Sequence, residues 1–458
     1  MYKKYYEGNQ KVFHLYAYAP PGCETGDYVV GQNVDGSLRT VERYKEYKNV
    51  GFNMFMSGCT ATYYGEEWQS SMCKKVMDMV YEAGIDKYIV GDQAFYELSC
   101  AKDGIVGEGK RFATEAELDA FVADRIKDYS QHPAYCGIYL KDEPHFYYLK
   151  AFGEICRSLK RVSPKTYVYC NLLPLDTLRW MDERYPAGGD LMERRTKYLE
   201  MFLDETGCDY IMYDDYPFCH AKENKVLYLR CMQHAAELCR DRGVEFRFVA
   251  QSFSMWIGGQ EYNWVPNEQE MRYQLNLLLG FGVRDLGFFT YLPHGANAIE
   301  NFPNDGAMIT REGKIMPLYY DTQKVLKELQ EIIPVVTKFE YRHSAYAVKT
   351  FNSYLKQLDY MKNDKLINVE SFTTDREGVL VNELYDQAND QYLYRVINLT
   401  EVRCEQEEGH KQNTVIQFDK KFQFADVFEN GKWSKVALKD GVLNVSLFAG
   451  DSVYVLVY

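Results

Sequence analysis

Residues 135–172 read YCGIYLKDEPHFYYLKAFGEICRSLKRVSPKTYVYCNL. A short run rich in aromatic and branched residues, 135–141, stops at Asp142-Glu143-Pro144. An amphipathic stretch, 146–161, follows it, with Phe152, Ile155, Cys156 and Leu159 at the three- and four-residue spacing of one helical face. Ser163-Pro164 breaks that pattern, and 165–172 opens a second strand-like run. Strand, helix and strand within about forty residues make a βαβ unit, with parallel strands and a right-handed crossover.

The same alternation repeats on both sides. Toward the N-terminus, strands are expected at 12–19, 51–57 and 85–92, and helices at 40–49, 66–83 and 115–129. Gly84 ends the second helix and Thr114 caps the third. Toward the C-terminus, strands at 208–213, 244–251 and 284–291 alternate with helices at 193–205, 225–241, 268–279 and 321–333. Eight such units predict a closed (β/α)8 TIM barrel of the α/β class. The competing doubly wound sheet lacks support, since no GxGxxG follows the first strand.

Beyond residue 338 the pattern changes to short strands at close spacing: 346–350, 378–384, 391–399, 414–418, 425–428 and 452–457. Turn residues separate them, which predicts a C-terminal antiparallel β-sandwich. The expected division is 1–338 for the barrel and 339–458 for the sandwich. The final LFAGDSVYVLVY reads as an edge-completing strand. The sandwich is expected to pack on the barrel or to serve a homo-oligomer interface, with Glu405-Gln406-Glu407-Glu408 as a solvated loop.

Composition narrows the function. A formal charge of −13 gains nothing from counterion release, so nucleic acid is not an expected partner. No run of about 18 apolar residues occurs, and MYKKYYEGNQKVFHLYAYAP has no apolar core of a signal peptide. The 12 Cys, among them Cys136, Cys170, Cys208, Cys231 and Cys239, lack zinc spacing. Reduced thiols fit a cytoplasmic protein, and neither a metal nor a cofactor is expected. Tyr is abundant, at 40 residues. Its ring stacks on sugar faces and its hydroxyl bonds them, although strands and core edges use Tyr as well.

Barrel chemistry sits at the C-terminal strand ends. There stand Asp92 after the third strand, Asp142 and Glu143 after the fourth, and Asn171 after the fifth. Asp214, Asp215 and Tyr216 follow the sixth, Gln251 the seventh and Tyr291 the eighth. Carboxylates crowded at one mouth raise some of each other's pKa values, which suits the acid and ionised partner of glycoside cleavage. Capping of helices and pairing with Arg or Lys are the structural alternatives for the same acids.

Gly137-Ile138-Tyr139-Leu140-Lys141-Asp142-Glu143-Pro144 resembles the strand-four Asn-Glu-Pro signature of clan-A glycoside hydrolases, with Asp142 in place of the Asn. The resemblance implies that Glu143 is the proton donor. Tyr213-Asp214-Asp215-Tyr216-Pro217, Gln251-Ser252-Phe253 and Pro266-Asn267-Glu268-Gln269-Glu270-Met271-Arg272 are similar to segments of β-galactosidase-like and uncharacterised barrel hydrolases of gut bacteria. So are Asp305-Gly306-Ala307-Met308-Ile309 and Gly313-Lys314-Ile315-Met316-Pro317. In order and spacing, the likeness covers about residues 12–335.

One departure matters. Clan A carries its nucleophilic Glu at the end of strand seven, where this chain has Gln251. Three routes follow. Water attacks directly, with Asp214 or Asp215 as base and inversion as the outcome. Alternatively, Glu261, in the glycine-containing loop Gly258-Gly259-Gln260-Glu261-Tyr262, acts as nucleophile with retention. In the third route Asp142 orients a substrate acetamido group, as in the hexosaminidases. Tyr216, Trp256, Trp264, Tyr291, Trp180 and Trp68 are candidate sugar platforms, and His220 and His294 candidate hydroxyl ligands. The expected function is an exo-acting glycosidase that cleaves a terminal sugar from small imported oligosaccharides or glycosides. A catalytically silent carbohydrate-binding barrel, motivated by Gln251, is the second reading. A lyase or isomerase of sugar acids is a third, without an evident Lys base or metal ligands.

Overall fold

The structure is a computed structural model that describes residues 12–22, 38–57, 61–174, 184–220, 224–295, 300–349, 363–376, 378–400 and 411–458, with the side chains of 224–226 excluded. Its strands, in chain order, begin with β1 (His14–Ala17), β2 (Phe55–Met56), β3 (Tyr88–Gly91) and β4 (Tyr135–Asp142). They continue with β5 (Tyr167–Asn171), β6 (Tyr210–Asp214) and β7 (Glu245–Gln251). A hairpin, β8 (Met255–Ile257) and β9 (Gln260–Asn263), precedes β10 (Val283–Phe289), and β11 (Glu300–Asn301) joins that hairpin.

Two parallel arcs, β1-β10-β7-β6 and β2-β3-β4-β5, form the ring. Leu172 N–H donates to Met212 O at 2.8 Å and closes one seam. Asn53 N–H donates to Leu15 O at 2.9 Å and closes the other. The chain is therefore a closed (β/α)8 barrel. Its helices are α1 (Val41–Val50), α2 (Met72–Glu82), α3 (Gln93–Ser99), α4 (Glu115–Ile126), α5 (Leu149–Val162), α6 (Leu191–Thr206), α7 (Asn224–Arg242), α8 (Glu268–Gly280) and α9 (Pro317–Val336).

Local chemistry sets their ends. Thr114 accepts from Glu117 N–H, and Asn267 and Glu270 form a reciprocal capping box. The second helix starts later than its periodicity suggests, because the Ser71 side chain caps it on Lys74 N–H after a 3-10 turn at Trp68–Ser70. The short α3 is absent from the periodicity reading. It is nucleated by Asp92, whose carboxylate accepts from Ala94 N–H.

Side chains fill the barrel in polar and aromatic tiers. At the lower end Asp285 accepts from Tyr167 Oη at 2.7 Å and lies 2.9 Å from His14 Nδ1, while Arg247 stacks on Tyr167 and Tyr210. Above them Tyr16 and Tyr169 meet edge to face. Gly287 leaves them room, since a Cβ there would lie 2.8 Å from the Tyr16 ring. At the upper end, Tyr169 Oη donates to Tyr18 Oη at 2.8 Å.

The C-terminal strands are β12 (Glu340–Val348), β13 (Val369–Thr374), β14 (Gly378–Asp386), β15 (Gln391–Asn398), β16 (Gln412–Phe418), β17 (Phe424–Glu429), β18 (Lys432–Ala437), β19 (Val442–Leu447) and β20 (Ser452–Val457). They build sheets β12-β14-β15-β20-β17-β18 and β13-β16-β19. Val379, Val381, Val396, Val453 and Val455 of one sheet meet Ile416, Phe418 and Leu443 of the other. This is an antiparallel sandwich.

Two expectations need correction here. The last strand is central rather than an edge, because β20 pairs with both β15 and β17. Strands β13, β18 and β19 escape a hydropathy reading because polar residues interrupt them. The opposite face of the larger sheet, with Leu380, Leu384, Leu393, Ile397 and Leu456, joins the barrel's core. Gln269 Nε2 donates to Asp451 Oδ1 at 2.7 Å and Asn276 Nδ2 to Gly450 O at 3.0 Å across this junction. Glu405-Gln406-Glu407-Glu408 lies outside the described residues. Among the described residues, no helix is long and apolar enough to cross a membrane.

Gly153 of α5 marks a close helix crossing, since a Cβ there would stand 2.0 Å from Glu205 O of α6. Helix propensity alone would favour alanine by about 1 kcal/mol. A backbone oxygen cannot rotate away, so the clash outweighs this gain. Gly153→Ala is expected to lower stability by about 1–3 kcal/mol, read as a lower urea midpoint. An unchanged or raised midpoint would show that the crossing relaxes.

Candidate active site

The upper mouth of the barrel is built from β1, β4, β5, β6 and β10. A register shift between Tyr139 and Lys141 places one extra residue in β4 against β5. Such a bulge re-aims the side chains after it. Tyr139 stacks on Tyr169 inside the barrel, Lys141 reaches α3, and Asp142 comes to lie over the mouth, paired with Asn171.

Asn171 is the hinge of the site. Its amide nitrogen donates to Asp214 Oδ1 at 2.6 Å, and its side chain lies near enough to Asp142 to favour that acid's charged form. Tyr18 Oη donates to Asp142 Oδ1 at 3.4 Å. Asp142 is open to solvent while the surrounding walls still desolvate it, which is the signature of a concave floor. Desolvation and the neighbouring Asp214 charge raise its carboxyl to about 7. Asp214 itself is buried.

Glu143 follows with φ of 44°, a left-handed backbone that costs a non-glycine residue about 1 kcal/mol or more. Its N–H donates to Asn171 O at 2.8 Å, and Tyr198 Oη donates to Pro144 O at 2.7 Å, so the turn is held from two sides. Arg184 Nη1 pairs with Glu143 Oε2 at 3.1 Å. Tyr216 lies within electrostatic reach of all three acids. Burial, then Asp214, and then Asp142 and Glu143 raise its phenol well above the usual value. Asp142, Glu143 and Asp214 therefore lie together around Tyr216.

An aromatic wall faces them. Tyr216 stacks on Phe289, with Phe253 and Phe302 packed behind and His294 alongside. Burial, and then Arg311, lower the His294 imidazole to about 4, so it is neutral near pH 7.

Protein-family models give no match to this sequence, and no curated protein matches it. Solved structures do. An α-amylase from Anoxybacillus aligns with TM-score 0.52 and 12% identity over 98% of this chain and 99% of its own. The α-amylase of Geobacillus thermoleovorans, solved with acarbose, gives the same values. A glycoside hydrolase family 5 structure from Bacteroides vulgatus gives TM-score 0.51 and 12% identity over 97% and 89%. The chain shares their fold.

Several expected site residues prove to be structural. Asp92 is buried and committed to Arg125, with Arg125 Nε at 2.8 Å and Nη2 at 2.8 Å, and to Tyr129 Oη at 3.0 Å. It holds α4 to β3. Gln251 is fully buried, and its Nε2 donates to the carbonyls of Phe218, Phe253 and Trp264 while its Oε1 accepts from Phe218 N–H. Trp264 is buried, with Nε1 donating to Glu270. Tyr291 is buried against Tyr47 and Phe52, because β10 ends two residues earlier and Phe289 takes the mouth position.

Asp215 points to the outer side of β6, where its charge acts on Arg195, Tyr213, Tyr228 and Cys231. Glu261 sits on the β8–β9 hairpin, 3.2 Å from His220 and across from Trp256, which is exposed. Trp68 packs on Tyr63 and Tyr129. Trp180 lies outside the described residues. Reading the strand ends alone misses Tyr18, Arg184 and Phe289. Alternation of His14, Tyr16 and Tyr18 along β1 and just past its end is the signal that would have found the first.

Gln251→Glu, which restores the residue of the clan-A resemblance, is expected to destabilise the fold rather than create a nucleophile. Three carbonyl oxygens would then face a buried carboxylate, at a cost of about 3 kcal/mol or more. Denaturant unfolding reads the loss. A variant as stable as the parent would show that the clamp is dispensable.

Proposed function

We propose that the protein is a glycoside hydrolase that releases a terminal sugar from small oligosaccharides or glycosides. The observation carrying this reading is the Asp142–Asn171–Asp214 arrangement, two acids held apart by one amide at the mouth of a barrel with the glycoside-hydrolase fold. The nine cysteines among the described residues are free thiols, which supports a cytoplasmic setting.

Protonation assigns the roles. Asp142 holds a proton near neutral pH and is open to the mouth, where a leaving group departs, so it is the acid. Asp214, buried and receiving the Asn171 amide, is the partner that faces the anomeric carbon. Arg184 favours the charged form of Glu143, which fits hydroxyl binding better than proton donation. This moves the donor from Glu143 to Asp142.

The Asn171 amide donates to Asp214 and acts on Asp142 from the same floor, so a one-residue bridge separates the acids, which fits the spacing of about 5 Å in retaining enzymes better than the wider gap that admits a water. Asp142 therefore protonates the glycosidic oxygen as Asp214 attacks the anomeric carbon. Water, deprotonated by Asp142, then releases the sugar from the Asp214 ester. Tyr216 and Phe289 provide the stacking wall.

A panel of aryl glycosides tests the assignment. Asp142→Asn and Asp214→Asn are expected to lose about 10²–10⁴-fold in kcat, and Glu143→Gln is expected mainly to raise KM. Turnover that survives in Asp142→Asn but vanishes in Glu143→Gln returns the donor role to Glu143. Tight sugar binding without turnover of any glycoside favours the silent binding barrel. Because the acid must be protonated, kcat/KM should fall as pH rises through about 7. A rate still climbing at pH 8 rules Asp142 out as the acid.

A further inference from the structure

The residue beside the proposed acid has an unusual neighbour. Lys141 is 8% exposed and points away from the mouth toward the end of α3. Its Nζ lies 2.8 Å from Cys100 Sγ, 4.1 Å above the Tyr96 ring and 5.6 Å from that of Tyr148. No carboxylate pairs with it among the described residues. A buried ammonium normally has such a partner, since burial without one is costly.

The distance is informative. It puts the Lys141 nitrogen in direct contact with the Cys100 sulfur. An oxygen atom bonded to both atoms would hold nitrogen and sulfur at about this separation. The Cys100 side chain is partly exposed, so a small oxidant reaches it. The elements it would join already touch, with Ser99 Oγ donating to Leu140 O at 3.4 Å.

We propose that Lys141 and Cys100 form a modification site in which peroxide joins them by a reversible N–O–S bridge. The ammonium first gives up a proton to solvent. One N–H and the S–H bond then break, and one N–O and one O–S bond form. Two molecules of hydrogen peroxide are reduced to three of water, with the fourth oxygen retained in the bridge. Excess dithiol reverses the change, restoring amine and thiol and releasing the bridging oxygen as water. The bridge fastens α3 to the bulged end of β4 and removes a cation next to Asp142.

Mass spectrometry tests this independently of any glycosidase activity. The full chain is treated with hydrogen peroxide, digested, and mapped with and without dithiothreitol. A cross-linked peptide pair containing Cys100 and Lys141, heavier by about 14 Da and split by dithiothreitol, is the expected result. Cys100→Ser and Lys141→Arg should each abolish it. Several results overturn the proposal: Cys100 as sulfenic or sulfinic acid with Lys141 unlinked, a direct N–S link lacking the oxygen, or no change at either residue.

Discussion

The Asn171 amide standing between Asp142 and Asp214 is the constraint on which the site depends. Two carboxylates at this distance repel, and without a shared donor they would turn apart or both take up protons. Asn171 donates to Asp214 and favours the charged form of Asp142, while its backbone carbonyl receives the Glu143 N–H. One residue of β5 thus fixes the spacing of the acids and the turn behind them. Its position depends in turn on ring closure, since Leu172, the next residue, makes the seam hydrogen bond to β6.

The tyrosines explain how a polar mouth can rest on a stable barrel. From Asp285 upward, Tyr167, Tyr16, Tyr169 and Tyr18 fill the interior with rings while passing hydroxyl contacts between tiers. Aliphatic side chains would pack as densely but leave Asp142 without the Tyr18 hydroxyl. Burial raises these phenols well above their usual range, so they stay neutral donors beneath the acids. Much of the tyrosine content is therefore core, and only Tyr216 of the expected sugar-stacking tyrosines reaches the mouth.

The eight-unit alternation was legible because each strand is a short branched or aromatic run and each long helix has one apolar face. What stayed hidden is where pairing departs from strict alternation. Counting two by two from Tyr139 puts Lys141 over the mouth; the bulge puts Asp142 there instead. A bulge arises from the fit between two strands, so neither sequence alone carries it. The same limit applies to Asp92 and Gln251. Both occupy strand ends, but whether a polar group faces solvent or is consumed internally depends on partners as distant as Arg125 and Trp264.

Gln251 shows why a missing strand-seven glutamate need not mean a missing nucleophile. Its amide closes the loops that carry Phe218, Phe253 and Trp264, and an amide alone both shares two N–H donors among their carbonyls and accepts from a backbone N–H. A carboxylate has no proton to give. A clamp at this strand end and a nucleophile at this strand end therefore exclude each other. On the proposed mechanism, once the seventh strand serves the clamp, the negative partner comes from a strand whose end is not so occupied. Asp214 on β6 meets that condition, since its buried carboxylate is oriented by Asn171 toward the same floor as Asp142.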